Sequence, residues 1–155
     1  AHRLQEWRGP FRRRLGQMIG RRCALTATVV LPLHAPSLAM ACEPTPIGKD
    51  AARIDGKNFV LVWRVEPAPL RLGEFFAVLV SACERSAQRV SRLKIDATMP
   101  AHNHGMNYLP TITADGSGTF TARGLLLHMP GRWELAFDVA SEAAREQLRA
   151  NVDLK

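Results

Sequence analysis

From about Cys42 onward the sequence predicts a single all-β domain, an immunoglobulin-like antiparallel β-sandwich of about seven strands. Two observations carry this. Large apolar side chains recur at every second position over short stretches, the period of a strand with one buried face. Clusters of Gly, Pro, Asp and Ser separate those stretches, where tight turns need them. The frequency of turns in a little over a hundred residues favours two packed sheets.

In order, Phe59, Leu61, Trp63 and Val65 alternate with polar or smaller residues. Phe75 to Cys83 is apolar on both faces and suits a central strand. Leu93, Ile95 and Ala97 alternate with Arg92, Lys94 and Asp96. Thr119 to Arg123 and Leu125 to Met129 follow as two further strands, and Trp133, Leu135, Phe137 and Val139 alternate with Arg132, Glu134, Ala136 and Asp138. The breakers are Glu66-Pro67-Ala68-Pro69, Ala114 to Gly118, and Met129-Pro130-Gly131. Ser141 to Ala150 reads as a helix with Ser141 as N-cap, and Val152 with Leu154 as a last strand.

The first 41 residues have a different composition. Seven arginines against Glu6 supply most of the formal net charge of +7, and beyond them 14 of the 21 basic residues face 13 of the 14 acidic ones. A nearly neutral domain lacks the basic stripe that neutralises a run of phosphates, which argues against a nucleic-acid partner. The basic stretch precedes an uncharged run from Cys23 to Ala41 that ends Ala39-Met40-Ala41. Basic, apolar and small-residue regions in that order are the features of a cleaved signal peptide, predicted over residues 1–41. Pro32, His34 and Pro36 break the run before it reaches the length of a membrane span. The expected destination is the bacterial periplasm.

Loss of the leader would remove Cys23 and leave Cys42 and Cys83. An even pair in an oxidising compartment predicts a disulfide. The alternative use of Cys42, lipid anchoring as the first mature residue, finds a poor lipobox in Ala39 and Met40.

One stretch departs from the strand pattern: Met99-Pro100-Ala101-His102-Asn103-His104-Gly105-Met106. With His128-Met129 it gathers three of the chain's five histidines and three of its five methionines. Imidazole and thioether together favour copper, the sulfur drawing Cu(I) more than Cu(II). The candidate ligands are His102, His104, Met106, His128, Met99 and Met129. His102 and His104 leave an extended backbone on the same side. Alternation within a strand would set His128 and Met129 on opposite faces, so only one of them could serve unless the strand ends between them. The competing expectation is that Met-Pro and His-Gly only mark a strand end, with the methionines filling gaps in the core.

Catalysis finds less support. No glycine-rich phosphate loop is present, Asp115-Gly116-Ser117-Gly118 reads as a hairpin turn, and no carboxylate lies beside His102 or His104 to orient a general base. No catalytic residue is assigned.

The segment Asp96 to Val139 resembles the YtkA-like and FixH-like group of exported bacterial domains, some relatives of which are labelled auxin-binding. The matching residues are Met99-Pro100, His104-Gly105, Met129-Pro130-Gly131 and Trp133-Glu134-Leu135. The resemblance implies an immunoglobulin-like sandwich, a periplasmic or membrane-tethered setting, and a role in copper handling or in maturing respiratory oxidases. His104 matches the group's His-Gly directly, His102 stands where relatives carry Met or His, and His128 falls at a variable position. FixH-like members keep a membrane anchor, whereas this chain is expected to lose its leader, a departure from the oxidase-assembly role. Two expectations follow: a periplasmic copper-binding accessory protein, or a metal-free accessory domain that docks a periplasmic or membrane-bound protein.

Overall fold

The computed structural model describes residues 42–155. The expected leader, with Cys23 and the Ala39-Met40-Ala41 end, lies outside them. The described chain forms nine strands and one short 3-10 turn.

Two antiparallel sheets make the sandwich. The first, in the order β1-β2-β3-β7-β6, comprises β1 (Ala52–Asp55), β2 (Phe59–Glu66), β3 (Phe75–Glu84), β7 (Thr119–Leu126) and β6 (Thr111–Ala114). The second, in the order β5-β4-β8-β9, comprises β5 (His104–Gly105), β4 (Arg92–Met99), β8 (Gly131–Ala140) and β9 (Arg145–Leu154). The chain crosses between sheets after β3, after β5 and after β7, so the core is built from residues distant in sequence.

Period-2 alternation does the sorting. Leu93, Ile95, Ala97 and Met99 of β4 face Phe59, Leu61 and Trp63 of β2 across the core, joined by Trp133, Leu135, Phe137 and Val139 of β8. Trp133, Phe137 and Phe59 are among the largest fully buried side chains, and the Trp63 and Phe137 rings lie 5.5 Å apart. Burying each such side chain stabilises by about 1.5–3 kcal/mol, which sets the register of these long strands.

Three expectations are corrected. Ser141 to Ala150 is no helix: Ser141 closes a tight turn and the chain runs on as β9, paired with β8 from Ala140↔Arg145 to Gly131↔Leu154. The Ser141 hydroxyl does accept from the backbone N–H groups of Ala143 and Ala144, at 3.1 and 3.0 Å, so the capping chemistry was real but served a hairpin. The helix-favouring Glu142, Ala143 and Ala144 precede a clean alternation, Glu146, Leu148, Ala150, Val152, Leu154, whose burial against the other sheet overrides local propensity.

The second correction concerns the two strands expected over Thr119 to Met129. They are one strand, β7, ending at Leu126, with an extra residue at Gly124: Phe76 pairs with Leu125 while Ala77 pairs with Arg123. Gly124 has φ +88°, as a glycine bulge requires. The inward set shifts from Phe120 and Ala122 before the bulge to Leu125 and Leu127 after it. The third is the count: β1, β5 and β6, short and polar, raise about seven strands to nine.

The Cα atoms of Cys42 and Cys83 lie 5.8 Å apart and their sulfurs are at disulfide distance, 41 residues apart in sequence. The bridge holds the segment before β1 against the outer face of the first sheet. Arg64 Nε donates to the Ile47 carbonyl at 2.7 Å and Arg53 pairs with Glu43 at 2.9 Å, which adds to that hold.

Candidate metal centre

The candidate site lies at the end of the sandwich where β4, β7 and β9 finish and β8 begins. Pro100 opens the 3-10 turn Pro100–His102, where its fixed φ and missing N–H cost nothing. Asn103 then takes a left-handed conformation at φ 49° and turns the chain back as β5. This hairpin places His104 opposite Met99 and Gly105 opposite Thr98. Directly opposed residues share a face, so His104 points inward with Met99. Met106, two residues on, donates its N–H to the Ala97 carbonyl at 2.8 Å and packs half-buried against the core.

From the first sheet comes His128, just beyond the end of β7. Its Nε2 meets the Nε2 of His104 at 2.5 Å, and the two rings stand 4.6 Å apart at 73°. Two imidazoles from different sheets therefore aim the same ring nitrogen at one point. Without an ion, one must be the N–H donor and the other the acceptor. Both are half-buried.

Trp133, fully buried, walls the pair. Its ring lies 6.2 Å from that of His104 and 5.7 Å from that of His128, both steeply tilted. Its indole N–H donates to the Met129 carbonyl at 2.9 Å. The Nδ1 of His128 is buried with no hydrogen-bond partner among the described residues.

The other expected ligands divide. Met99 is 1% exposed, its methyl carbon 3.1 Å from where a Cβ on Gly131 would stand, so it is foremost a core residue beside the site. Met129 is half-buried and adjacent to His128; with β7 ending at Leu126, strand alternation no longer sets these two on opposite faces. His102 is exposed on the 3-10 turn. Expected to leave the backbone beside His104, it does not share an extended segment with it, because Asn103 interrupts the strand geometry. Among the described residues no three His, Cys, Asp or Glu side chains gather as a metal-ligand group; His104 and His128 are the two imidazoles that meet.

A cleft of about 380 Å³ opens beside His104, Pro100 and Asn103, bounded by the Glu134–Arg149 ion pair at 2.7 Å. A second, of about 440 Å³, lies at the opposite end between Arg89, Gly116 and Glu142 and contains none of the histidines or methionines. Size does not decide between them; the converging ring nitrogens do. Ser117 is exposed on its turn, its hydroxyl donated to Asp115 at 2.8 Å, and no histidine approaches it within hydrogen-bonding distance among the described residues.

Sequence reasoning missed Trp133 as part of the site, reading it as a core residue and as one of those that carry the resemblance. The available signal was register: Thr98 pairs with Glu134, so Met99 and Trp133 fall at the next level, beside His104. Comparison with family models, with curated proteins and with solved structures finds no match to this chain.

Proposed function

We propose that this domain is a periplasmic copper-binding accessory module that holds one ion, Cu(I) in preference to Cu(II), between His104 and His128. The observation that carries the reading is the meeting of the two Nε2 atoms across the sheets. Met99 pairs with His104 across the hairpin, Met129 follows His128 in the chain and Met106 packs on the same core, and neutral nitrogen and sulfur donors suit Cu(I). The resemblance to YtkA-like and FixH-like domains supports copper handling in the same direction.

The test is Cu(I) competition against a chromophoric chelator with the full chain. His104→Ala and His128→Ala should each lower affinity at least tenfold, whereas His102→Ala, exposed on its turn, should stay close to wild type. Equal affinity in all four proteins would overturn the reading.

A second reading, a metal-free domain that docks a protein partner, is favoured by one observation. The exposed large apolar side chains Leu72, Phe75, Tyr108 and Leu109 all lie at this same end, Leu109 at 97% exposure, with Phe75 and Tyr108 stacked edge to face at 5.6 Å. Wild-type protein that binds no copper would leave that reading in place.

A further inference from the structure

We infer that Trp133 is the positioning residue of the copper site: it orients His128 for the ion in place of the hydrogen bond that a ligating imidazole normally makes. This rests on the copper reading above.

A histidine ligand almost always donates its second ring N–H to a carbonyl, carboxylate or water, which fixes both tautomer and ring orientation. His128 has no such partner, its Nδ1 being buried and unpaired among the described residues. Within the protein, packing is then what holds the ring, because a free rotor at a strand end would not keep its Nε2 on that of His104. The packed surface against it is the indole of Trp133, 5.7 Å away between centroids and tilted by 69°.

Trp133 is suited to the task because it is itself fixed twice. It is fully buried at the start of β8, and its Nε1–H donates to the carbonyl of Met129, the residue next to His128. The bond and the ring contact therefore act on adjacent residues of one loop: the indole anchors the backbone just after His128 and packs against its side chain. The same ring approaches His104 at 6.2 Å, so one indole neighbours both imidazoles. Rigid placement of the side chains that touch the ion is what separates a tight site from a loose one. A second consequence concerns water. Cu(II) prefers a tetragonal set of nitrogen and oxygen donors, and two imidazoles would need oxygen ligands from solvent to complete it. Trp133, fully buried, closes the core side of the pair to such waters.

The test compares two buried tryptophans of the same core. Trp63 is 8% exposed, packs on Phe137, and makes no aromatic contact with the histidines among the described residues. Trp133→Phe and Trp63→Phe should both lower thermal stability, but only Trp133→Phe should weaken Cu(I), by roughly 10- to 100-fold as outer-shell losses do. X-ray absorption of the Cu(I)-loaded Trp133→Phe chain should show fewer imidazole ligands than wild type. Equal Cu(I) affinity in the two variants, with both folded, would overturn the inference while leaving the copper reading intact; absence of Cu(I) binding in wild type would overturn both. Should Trp133→Phe not fold, the emission of a Trp7→Phe/Trp63→Phe chain, whose one remaining tryptophan is Trp133, decides: Cu(I) should quench it, and unchanged emission with copper bound would refute Trp133's place at the ion.

Discussion

At the end of the sandwich opposite the histidines, one carboxylate ties the sheets together and makes a measurable claim. Glu146 on β9 accepts the backbone N–H groups of Lys57, Asn58 and Phe59 at 2.7, 2.8 and 3.1 Å, so a side chain of the second sheet satisfies the turn that opens β2 in the first. Gly56 permits the approach, since a Cβ there would stand 2.7 Å from Glu146 Oε1 and 2.6 Å from Leu148 Cδ2. Burial, the largest single influence on the carboxyl, pushes its pKa up; the N–H groups of Asn58, Lys57 and Phe59, with the charge of Arg85, together outweigh it and hold the pKa below the ordinary value. A carboxyl depressed in the folded state contributes stability that is fully present above its unfolded pKa of about 4.3 and is lost as pH falls through the folded value. Glu146→Gln puts an NH₂ donor among N–H donors, so at least one bond to a charged acceptor is lost. Such bonds contribute about 1.5–3 kcal/mol, and half-burial places the expected loss near the lower end, about 2 kcal/mol at neutral pH. Urea unfolding of both proteins at about pH 7 and about pH 2.5 reads the effect, and the gap should narrow at acid pH as the wild-type carboxyl takes up its proton. A glutamine variant as stable as wild type at neutral pH, or a gap that does not narrow, would refute the reasoning.

Four further outcomes are expected. Replacing Cys42 and Cys83 together by alanine removes a tie spanning 41 residues; the loop-entropy model gives a loss of about 4 kcal/mol, read as a lower urea midpoint. Gly118→Ala should destabilise more than Gly124→Ala: both have φ +88°, but a Cβ at Gly118 would stand 2.6 Å from the Ala82 carbonyl oxygen while nothing lies within 4 Å at Gly124. Strain alone accounts for about 1–2 kcal/mol, so thermal melts that rank the two equally would contradict the packing. Met99→Ala should cost about 2–5 kcal/mol as a buried truncation, far more than Met106→Ala at its half-exposed position. Because His104 and His128 belong to different sheets, Cu(I) at 100 times its dissociation constant should stabilise the wild type by about 2.7 kcal/mol, and the His128→Ala chain much less at the same concentration.

The fold was legible wherever burial on one face forced alternation. Leu93 to Ala97 and Trp133 to Val139 could be read strand by strand, because each has a polar or small residue between every inward pair. Two places defeated the same reading. Around Gly124 a bulge adds one residue and changes which set points inward, and a count by twos cannot know where the extra residue falls until the partner strand is seen. At Ser141 to Ala150 a good N-cap and several helix formers agreed locally on a helix, while the alternation beginning at Glu146 agreed with β8; the longer-range pairing won because it buries Leu148 and Leu154. The short polar strands β1, β5 and β6 carry no apolar period and had nothing to announce them.

The site shows the same limit at closer range. Spacing favoured His102 with His104, an inference sound only while the backbone stays extended. Pro100 imposes a 3-10 turn and Asn103 a left-handed residue, so these two histidines leave from different local geometries. The ring that does reach His104 belongs to a residue 24 positions away, a separation that carries no periodic signal. What brings it there is the sandwich: β7 stops at Leu126, β5 folds back on the end of β4, and the inward faces of the two sheets converge where both strands finish. A cross-sheet contact of this kind depends on where strands end, and strand ends are set by turns, not by hydrophobic period. His128 and Met129 follow one such end and Pro130-Gly131 leads into the next strand, so the residues that mark the turn are also the ones that bring an imidazole to His104.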